Sequence, residues 1–161
     1  LDLINDYDNL CVLRTFSKAW GLAGLRVGYI ASNSSIIHEL KKVKSLLDIN
    51  SIAVKFLSLL LDNTNIVADN IKENKRAQRY LQQSLCELDI EIITTQTNFM
   101  YFRPPEPITT EDLPNHLRLK GFLVRRVSNT NTILDGCIRI TTGSVEQMKT
   151  LVNELQSILA R

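Results

Sequence analysis

The sequence predicts an α/β protein, and three patterns carry that expectation. Two short apolar runs, Cys11-Val12-Leu13 and Val27 to Ala31, read as strands buried on both faces. Several longer stretches place apolar residues at helical spacing, one face at a time. Past the longest of them the chain changes to short strands separated by turn residues, and an amphipathic helix closes it.

In chain order, Leu1 to Tyr7 reads as the end of a helix and Asn9 to Arg14 as a strand. A loop follows, then the strand Val27 to Ala31. Ser34 suits the N-cap of a helix reaching about Lys44, with Ile36, Ile37, Leu40 and Val43 on one face. A second helix covers Ser51 to Leu61. A third starts at Thr64 or Asn65 and runs to Leu88, with Val67, Ile71, Ala77, Leu81, Leu85 and Leu88 in register. Its charged middle, Lys72 to Arg76, is expected in solvent. Glu91 to Thr94 and Asn98 to Arg103 are strands, the second stopped by Pro104-Pro105. Thr110 to Lys120 is a helix capped by Thr109 or Thr110, which Pro114 should interrupt after one turn and Gly121 should end. Leu123 to Val127 and Cys137 to Thr141 are strands. The last helix opens at Ser144, with Gln147 at the spacing of a capping box, and carries Met148, Leu151, Val152, Leu155 and Leu159 on one face.

Composition sets the bounds. A length of 161 residues suits one domain of ordinary size, and 44% apolar residues are enough to build a core. The net charge is +2 with the basic residues spread along the chain, so no footprint for nucleic acid or an anionic membrane is visible. The apolar run Phe56 to Leu61 is far too short to span a bilayer, and no signal-peptide pattern opens the sequence. Cys11, Cys86 and Cys137 lie far apart, without metal-ligand spacing, so no metal is expected. Free, mostly buried thiols in a reducing compartment follow, hence a cytoplasmic location. His38 and His116 have no partners at ligand spacing.

The chemistry concentrates between Thr15 and Tyr29, where one lysine, one adjacent serine, two glycines and one arginine sit between the two strand-like runs. A buried ammonium must find a partner or give up its proton, and an amine that gives it up attacks aldehydes. Ser17 offers a hydroxyl donor and Arg26 a planar fork. Gly21 and Gly24 would let backbone amides come close, and together these groups suit a phosphate. An aldehyde that carries a phosphate is pyridoxal phosphate. The plainer alternative is a solvated Ser-Lys pair in a glycine-bearing loop.

The run Leu13-Arg14-Thr15-Phe16-Ser17-Lys18-Ala19, followed by Gly24-Leu25-Arg26 and Gly28-Tyr29, closely resembles a known segment. It is the Schiff-base lysine segment of class I/II aminotransferases, above all of their histidinol-phosphate branch. Cys137 to Gly143 resembles that family's Leu-Arg-Ile-Thr-x-Gly signature, and Gly121 to Arg125 its Gly-Ile-Ile-Val-Arg segment. Asn98-Phe99 and Asn50 match it more weakly, and either asparagine could simply close a turn. Strand alternation alone would leave Arg139 on a solvent face. A bidentate guanidinium is nevertheless the right shape for an amino-acid carboxylate.

The resemblance implies the carboxy-terminal part of a fold-type I pyridoxal-phosphate enzyme: residues 1–66 ending the large-domain sheet, and residues 67–161 forming an α+β small domain. The long helix would link the two. Lys18 would be the catalytic, cofactor-bound lysine, Ser17 and Arg26 the phosphate anchors, and Arg139 with Arg125 the substrate-binding residues. Arg126, next on its strand, should face outward. The carboxylate for the pyridine nitrogen, the ring-stacking aromatic and a phosphate-binding helix start would lie upstream of Leu1. Asp2, Asp6 and Asp8 are too close to Lys18 to supply that carboxylate. A homodimer that transfers an amino group from an amino acid or amino alcohol phosphate to 2-oxoglutarate is the implied activity, and residues 1–161 alone should be inactive. Threonine-phosphate decarboxylation, a cofactor-free binding domain and an inactive truncated product remain as alternatives.

Overall fold

Apolar residues at both ends of the lysine loop pair with one another. Val12–Thr15 (β1) and Gly28–Ala31 (β2) run antiparallel, with Val12 opposite Ala31 and Thr15 opposite Gly28. The computed structural model that contains them describes residues 1–128 and 130–160, in two units, Leu1–Asn70 and Ile71–Arg161.

In the first unit this sheet has two strands. Within residues 1–161, Leu13, Tyr29 and Ile30 are 70%, 44% and 43% exposed, so these strands lack here the cover their consecutive apolar residues suit. Consecutive apolar residues fix what a strand is suited to meet, while burial requires a second layer to be there. At the amino end, Asp2–Asn5 forms a 3₁₀ turn. Helix α1, Ser34–Val43, is capped by Asn33, one residue before the expected Ser34. Asn33 Oδ1 accepts from Ile36 N at 3.0 Å and from Ser35 Oγ at 2.8 Å, and its amide nitrogen donates to the Asp8 carbonyl. Asn and Ser cap almost equally well, and Asn33 wins because it also ties down the segment before β1. Helix α2, Ser51–Leu61, has the expected bounds, and Asn50 Oδ1 accepts from Ala53 N at 2.7 Å to cap it. Ala53 and Leu57 pack with Val27, surrounded by Phe16, Leu22 and Leu25. This small core backs the lysine loop.

Helix α3, Thr64–Glu87, is long, and only its later part is well covered: Ala77, Leu81, Ser84 and Leu85 are buried. In the second unit a four-stranded antiparallel sheet has the order β3-β4-β6-β5, from Ile92–Ile93 (β3), Phe99–Phe102 (β4), Arg125–Arg126 (β5) and Ile138–Thr141 (β6). Alternation gives the sheet two unlike faces. Met100, Phe102, Ile138 and Ile140 are buried in one cluster with α3, α4 (Asp112–Leu119) and α5 (Val145–Leu159). Leu81, Leu113, Leu117, Leu151 and Leu155 are each at most 1% exposed there. Burying one such side chain contributes about 1.5–3 kcal/mol, so this cluster dominates the unit's stability.

Pro114 does not interrupt its helix. Thr109 Oγ1 accepts from Asp112 N at 3.0 Å and α4 starts at Asp112, so the proline falls in the first turn, where its missing N–H has no partner to lose. Gly121, at φ 85°, ends α4 by letting Phe122 N donate to the Leu117 carbonyl at 2.9 Å. Ser144 and Gln147 form the expected capping box at α5. Cys11 and Cys86 are exposed and Cys137 alone of the three is buried, which corrects the expectation of mostly buried thiols; burial pushes the Cys137 thiol up. No single helix among the described residues is long and apolar enough to cross a membrane.

Candidate functional site

The lysine loop leaves the β1–β2 ladder as a defined turn. Phe16 N donates to the Val27 carbonyl at 3.2 Å, just beyond the Thr15–Gly28 pair. Ser17 and Arg26 are therefore the next residues on either side of that last rung. Within the loop, Gly21 N donates to the Lys18 carbonyl at 2.8 Å and Leu22 N to the Phe16 carbonyl at 3.0 Å. Gly21 adopts φ 70°, a left-handed turn that glycine makes without penalty. Phe16 anchors the loop from below, its ring 5.3 Å from that of Trp20 and 6.0 Å from that of Tyr29.

Within residues 1–161 Lys18 is exposed, in the loop between the two strands. Its amine makes no hydrogen bond or ion pair with any described residue. Ser17 is half-buried. Its backbone N–H donates to Thr15 Oγ1 at 3.0 Å, and Thr15 Oγ1 donates to Ser17 Oγ at 2.9 Å. Arg26 ends a 3₁₀ turn, Ala23–Leu25, in the left-handed region at φ 54°. Its Nη1 donates to the Ala23 carbonyl at 3.0 Å, and the exposed guanidinium has no other partner among the described residues.

The glycines divide differently from the sequence expectation. Gly24 has open space where a Cβ would stand and an ordinary backbone, so close approach does not require it. Gly28 does require it: a Cβ there would stand 2.6 Å from the Arg14 carbonyl oxygen. Gly28 and Thr15 are the residues that sequence reasoning passed over. The Thr-x-Ser spacing was a usable signal, because hydroxyl side chains two residues apart commonly bind the intervening backbone.

In the second unit, β5 and β6 set Arg125 directly opposite Arg139, and β4 sets Tyr101 opposite Arg139 on its other side. Tyr101, Arg139 and Arg125 thus form a row across the face that does not carry the core. Arg139 is half-buried with its guanidinium 5.1 Å above the Phe99 ring, and Arg125 is exposed without a partner among the described residues. Like charges directly opposite in a ladder repel, by roughly 0.2–1 kcal/mol. The Phe99 contact offsets about 0.5–1 kcal/mol at such a site. The two effects are of the same size, and an anion beside this row would be attracted to both guanidinium groups. Arg126 does not point outward with solvent alone: in register with buried Ile138, it turns toward the helix-bearing side and pairs with Glu111 Oε1 at 2.6 Å. The resemblance of Asn50 and Asn98 has plain structural content. Asn50 caps α2, and the Asn98 carbonyl accepts from Thr142 N and Oγ1, each at 2.9 Å.

Lys18, Ser17 and Arg26 belong to the first unit and Arg125 with Arg139 to the second. Among the described residues, no cluster of three or more His, Cys, Asp or Glu side chains is arranged to hold a metal.

Residues 1–155 match the protein family described as aminotransferase class I and II. The chain is 34% identical over 160 residues to a histidinol-phosphate aminotransferase of Thermoanaerobacter pseudethanolicus, covering 99% of this chain and 44% of that protein. It thus spans less than half the length of such relatives. Among solved structures, the histidinol-phosphate aminotransferase of Clostridium acetobutylicum superposes with a TM-score of 0.87 at 22% identity, over 98% of this chain and 48% of that one. The L-threonine-O-3-phosphate decarboxylase of Porphyromonas gingivalis gives 0.81 at 22% identity, over 98% and 49%. The histidinol-phosphate aminotransferase of Sinorhizobium meliloti, solved in complex with pyridoxal 5′-phosphate, gives 0.79 at 22%, over 95% and 43%. The fold is that of fold-type I aminotransferases.

Proposed function

Because the chain belongs to the class I and II aminotransferase family, whose cofactor is pyridoxal 5′-phosphate, we propose that it contributes the lysine side of an aminotransferase site acting on histidinol phosphate. The observation that carries the proposal is the loop between β1 and β2. It presents an unpaired primary amine at its rim, a hydroxyl pair on one flank and a guanidinium with free N–H donors on the other. That donor set fits an aldehyde bearing a phosphate: the amine suits the aldehyde, while Ser17 and Arg26 suit the dianion. When bound, the cofactor supplies an electron sink for the negative charge left on the substrate's α-carbon.

This chain's own residues do the remainder. Lys18 Nζ would hold the cofactor covalently through its aldehyde carbon. Once substrate has freed it, Nζ would take the proton from the substrate's α-carbon as general base and, as general acid, deliver it to the cofactor's C4′ rather than back to the α-carbon. Ser17 and Arg26 hold the phosphate, so the reacting end stays in register with Lys18. Arg139 and Arg125 take the substrate's anionic groups, which suits a substrate carrying a phosphate. We place residues 1–66 at the end of the large cofactor domain and 67–161 in the small domain of a cytoplasmic homodimer, with 2-oxoglutarate as amino acceptor.

Decarboxylation of a phosphorylated amino acid is the second reading. Its support is the likeness to the Porphyromonas gingivalis enzyme at 22% identity and to a decarboxylase of Sulfurospirillum multivorans at 26%, whereas the relative that is 34% identical is named as an aminotransferase. Product analysis separates the two. A full-length enzyme carrying residues 1–161 should form glutamate from 2-oxoglutarate in a histidinol-phosphate-dependent way. Release of carbon dioxide from threonine phosphate without glutamate formation would overturn the assignment.

A further inference from the structure

The sequence puts the charged middle of α3 in solvent, yet one strip of it is taken up by the sheet. Glu73, Asn74 and Gln78 are half-buried around the fully buried Ala77. Asn74 Nδ2 donates to Thr142 Oγ1 at 2.8 Å and to the Thr142 carbonyl at 3.2 Å. An amide nitrogen carries two protons, so one side chain serves both acceptors. The Thr142 hydroxyl passes its own proton to the Asn98 carbonyl at 2.9 Å, and Thr142 N donates to the same oxygen. On either side of Asn74, Gln78 Nε2 donates to the Thr97 carbonyl and Glu73 Oε1 accepts from Val145 N at 3.0 Å.

These bonds gather at one end of two strands. Phe99 opens β4 and Thr141 closes β6, and they face each other in the last rung of the ladder. Asn98 lies just before that rung and Thr142 just after it. The same two strands carry Arg139 and the Phe99 ring that lies 5.1 Å from its guanidinium. Strand ends open readily unless something closes them. Thr142 is 6% exposed, so without Asn74 its carbonyl and hydroxyl would lose a partner where water is scarce. We propose that Asn74 is a positioning residue for Arg139. Through Thr142 and Asn98 it closes the β4–β6 ladder and keeps Arg139 over Phe99. The proposal rests on the reading of Arg139 as a substrate-binding residue and extends it to a side chain of α3 that acts through the strands.

The test uses a full-length enzyme carrying residues 1–161. Asn74→Ala should speed hydrogen exchange at Thr142 N and raise KM for histidinol phosphate about two- to tenfold, the effect of one lost hydrogen bond. It should leave kcat and pyridoxal phosphate retention unchanged, because the lost contact serves substrate binding alone. Thr142→Val keeps the shape, removes the hydroxyl between Asn74 and Asn98, and should raise KM in the same way. In an Arg139→Ala background, Asn74→Ala should add nothing to KM. Val152→Ala, in the buried cluster, controls for lost stability: it should lower Tm and leave KM alone. A KM rise in Val152→Ala as large as in Asn74→Ala would overturn the proposal, as would a further rise in the Arg139→Ala background. Unchanged exchange at Thr142 N in Asn74→Ala would overturn it whatever the substrate. If Arg139→Ala raises KM and Asn74→Ala does not, the positioning role is wrong and the reading of Arg139 stands. If Arg139→Ala leaves KM unchanged, the reading of Arg139 itself falls, and this proposal with it.

Discussion

Arg26 holds a left-handed backbone at φ 54°, although a residue with a Cβ pays roughly 1–2 kcal/mol for that region. What keeps it there is the 3₁₀ turn behind it, with the backbone N–H and the guanidinium both bonded to the Ala23 carbonyl. Strain of this kind, at a charged residue on the edge of a loop, is what a site needs when it must aim a donor. Arg26→Ala keeps the strain and removes the guanidinium, so it isolates the binding contribution. It should weaken cofactor retention by about 1.5–3 kcal/mol, a tenfold to hundredfold loss, while the transfer rate at saturating cofactor changes far less. Unchanged retention, measured by equilibrium dialysis, would count against a phosphate contact. Lys18, Ser17 and Arg26 stood out in the sequence through the whole run from Leu13 to Tyr29 and its family resemblance, since a Ser-Lys pair in a glycine-bearing loop is commonplace by itself. The tie of Thr15 to Ser17 did not, because a threonine on a strand is ordinary until its hydroxyl is seen to bind Ser17 twice.

The β1–β2 hairpin shows at the element scale what residue type cannot show. Gly24 and Gly28 look alike in the sequence, yet one has open space beside it and the other faces the Arg14 carbonyl at 2.6 Å from where a Cβ would be. Which of them is required depends on the antiparallel register, which no local pattern states. Gly28→Ala should force the two strands apart at the rung that positions Thr15, and destabilise the hairpin by about 1–3 kcal/mol. Hydrogen exchange at Phe16 N, bonded to the Val27 carbonyl, should accelerate, whereas Gly24→Ala should leave it unaltered. Equal protection in both variants would show that the hairpin tolerates a side chain at Gly28. Helix ends were more legible because caps are local. Ser144 with Gln147 and Gly121 behaved as expected, and α1 slipped by one residue only because Asn33 and Ser34 are both good caps. The start of α4 slipped because Thr109 caps from three residues before the first helical position, which also makes Pro114 harmless.

At the scale of the molecule, the two units differ in how much they bury. The second has a cluster that ties α3, α4 and α5 to β3, β4 and β6, whereas the first has Val27, Ala53 and Leu57 with a few partly covered neighbours. Helix α2 leaves Ile52, Val54, Phe56 and Leu59 at 46–77% exposure, and the turn before it leaves Leu46 and Leu47 above 90%. Apolar patterning made the strands and helices legible, but it states only which faces prefer cover. It does not supply that cover, and within residues 1–161 β1 and β2 pair only with each other. The arginines separate in the same way: their types were legible, whereas the row of Tyr101, Arg139 and Arg125 is a product of sheet register. The central claim is that Lys18 is the residue that carries the cofactor. In a full-length enzyme carrying residues 1–161, borohydride reduction in the presence of pyridoxal phosphate should fix the cofactor covalently, and peptide mapping should place it on Lys18. Lys18→Ala should abolish the adduct while Lys41→Ala and Lys55→Ala leave it intact. An adduct on any other lysine, or one that survives Lys18→Ala, would contradict the account.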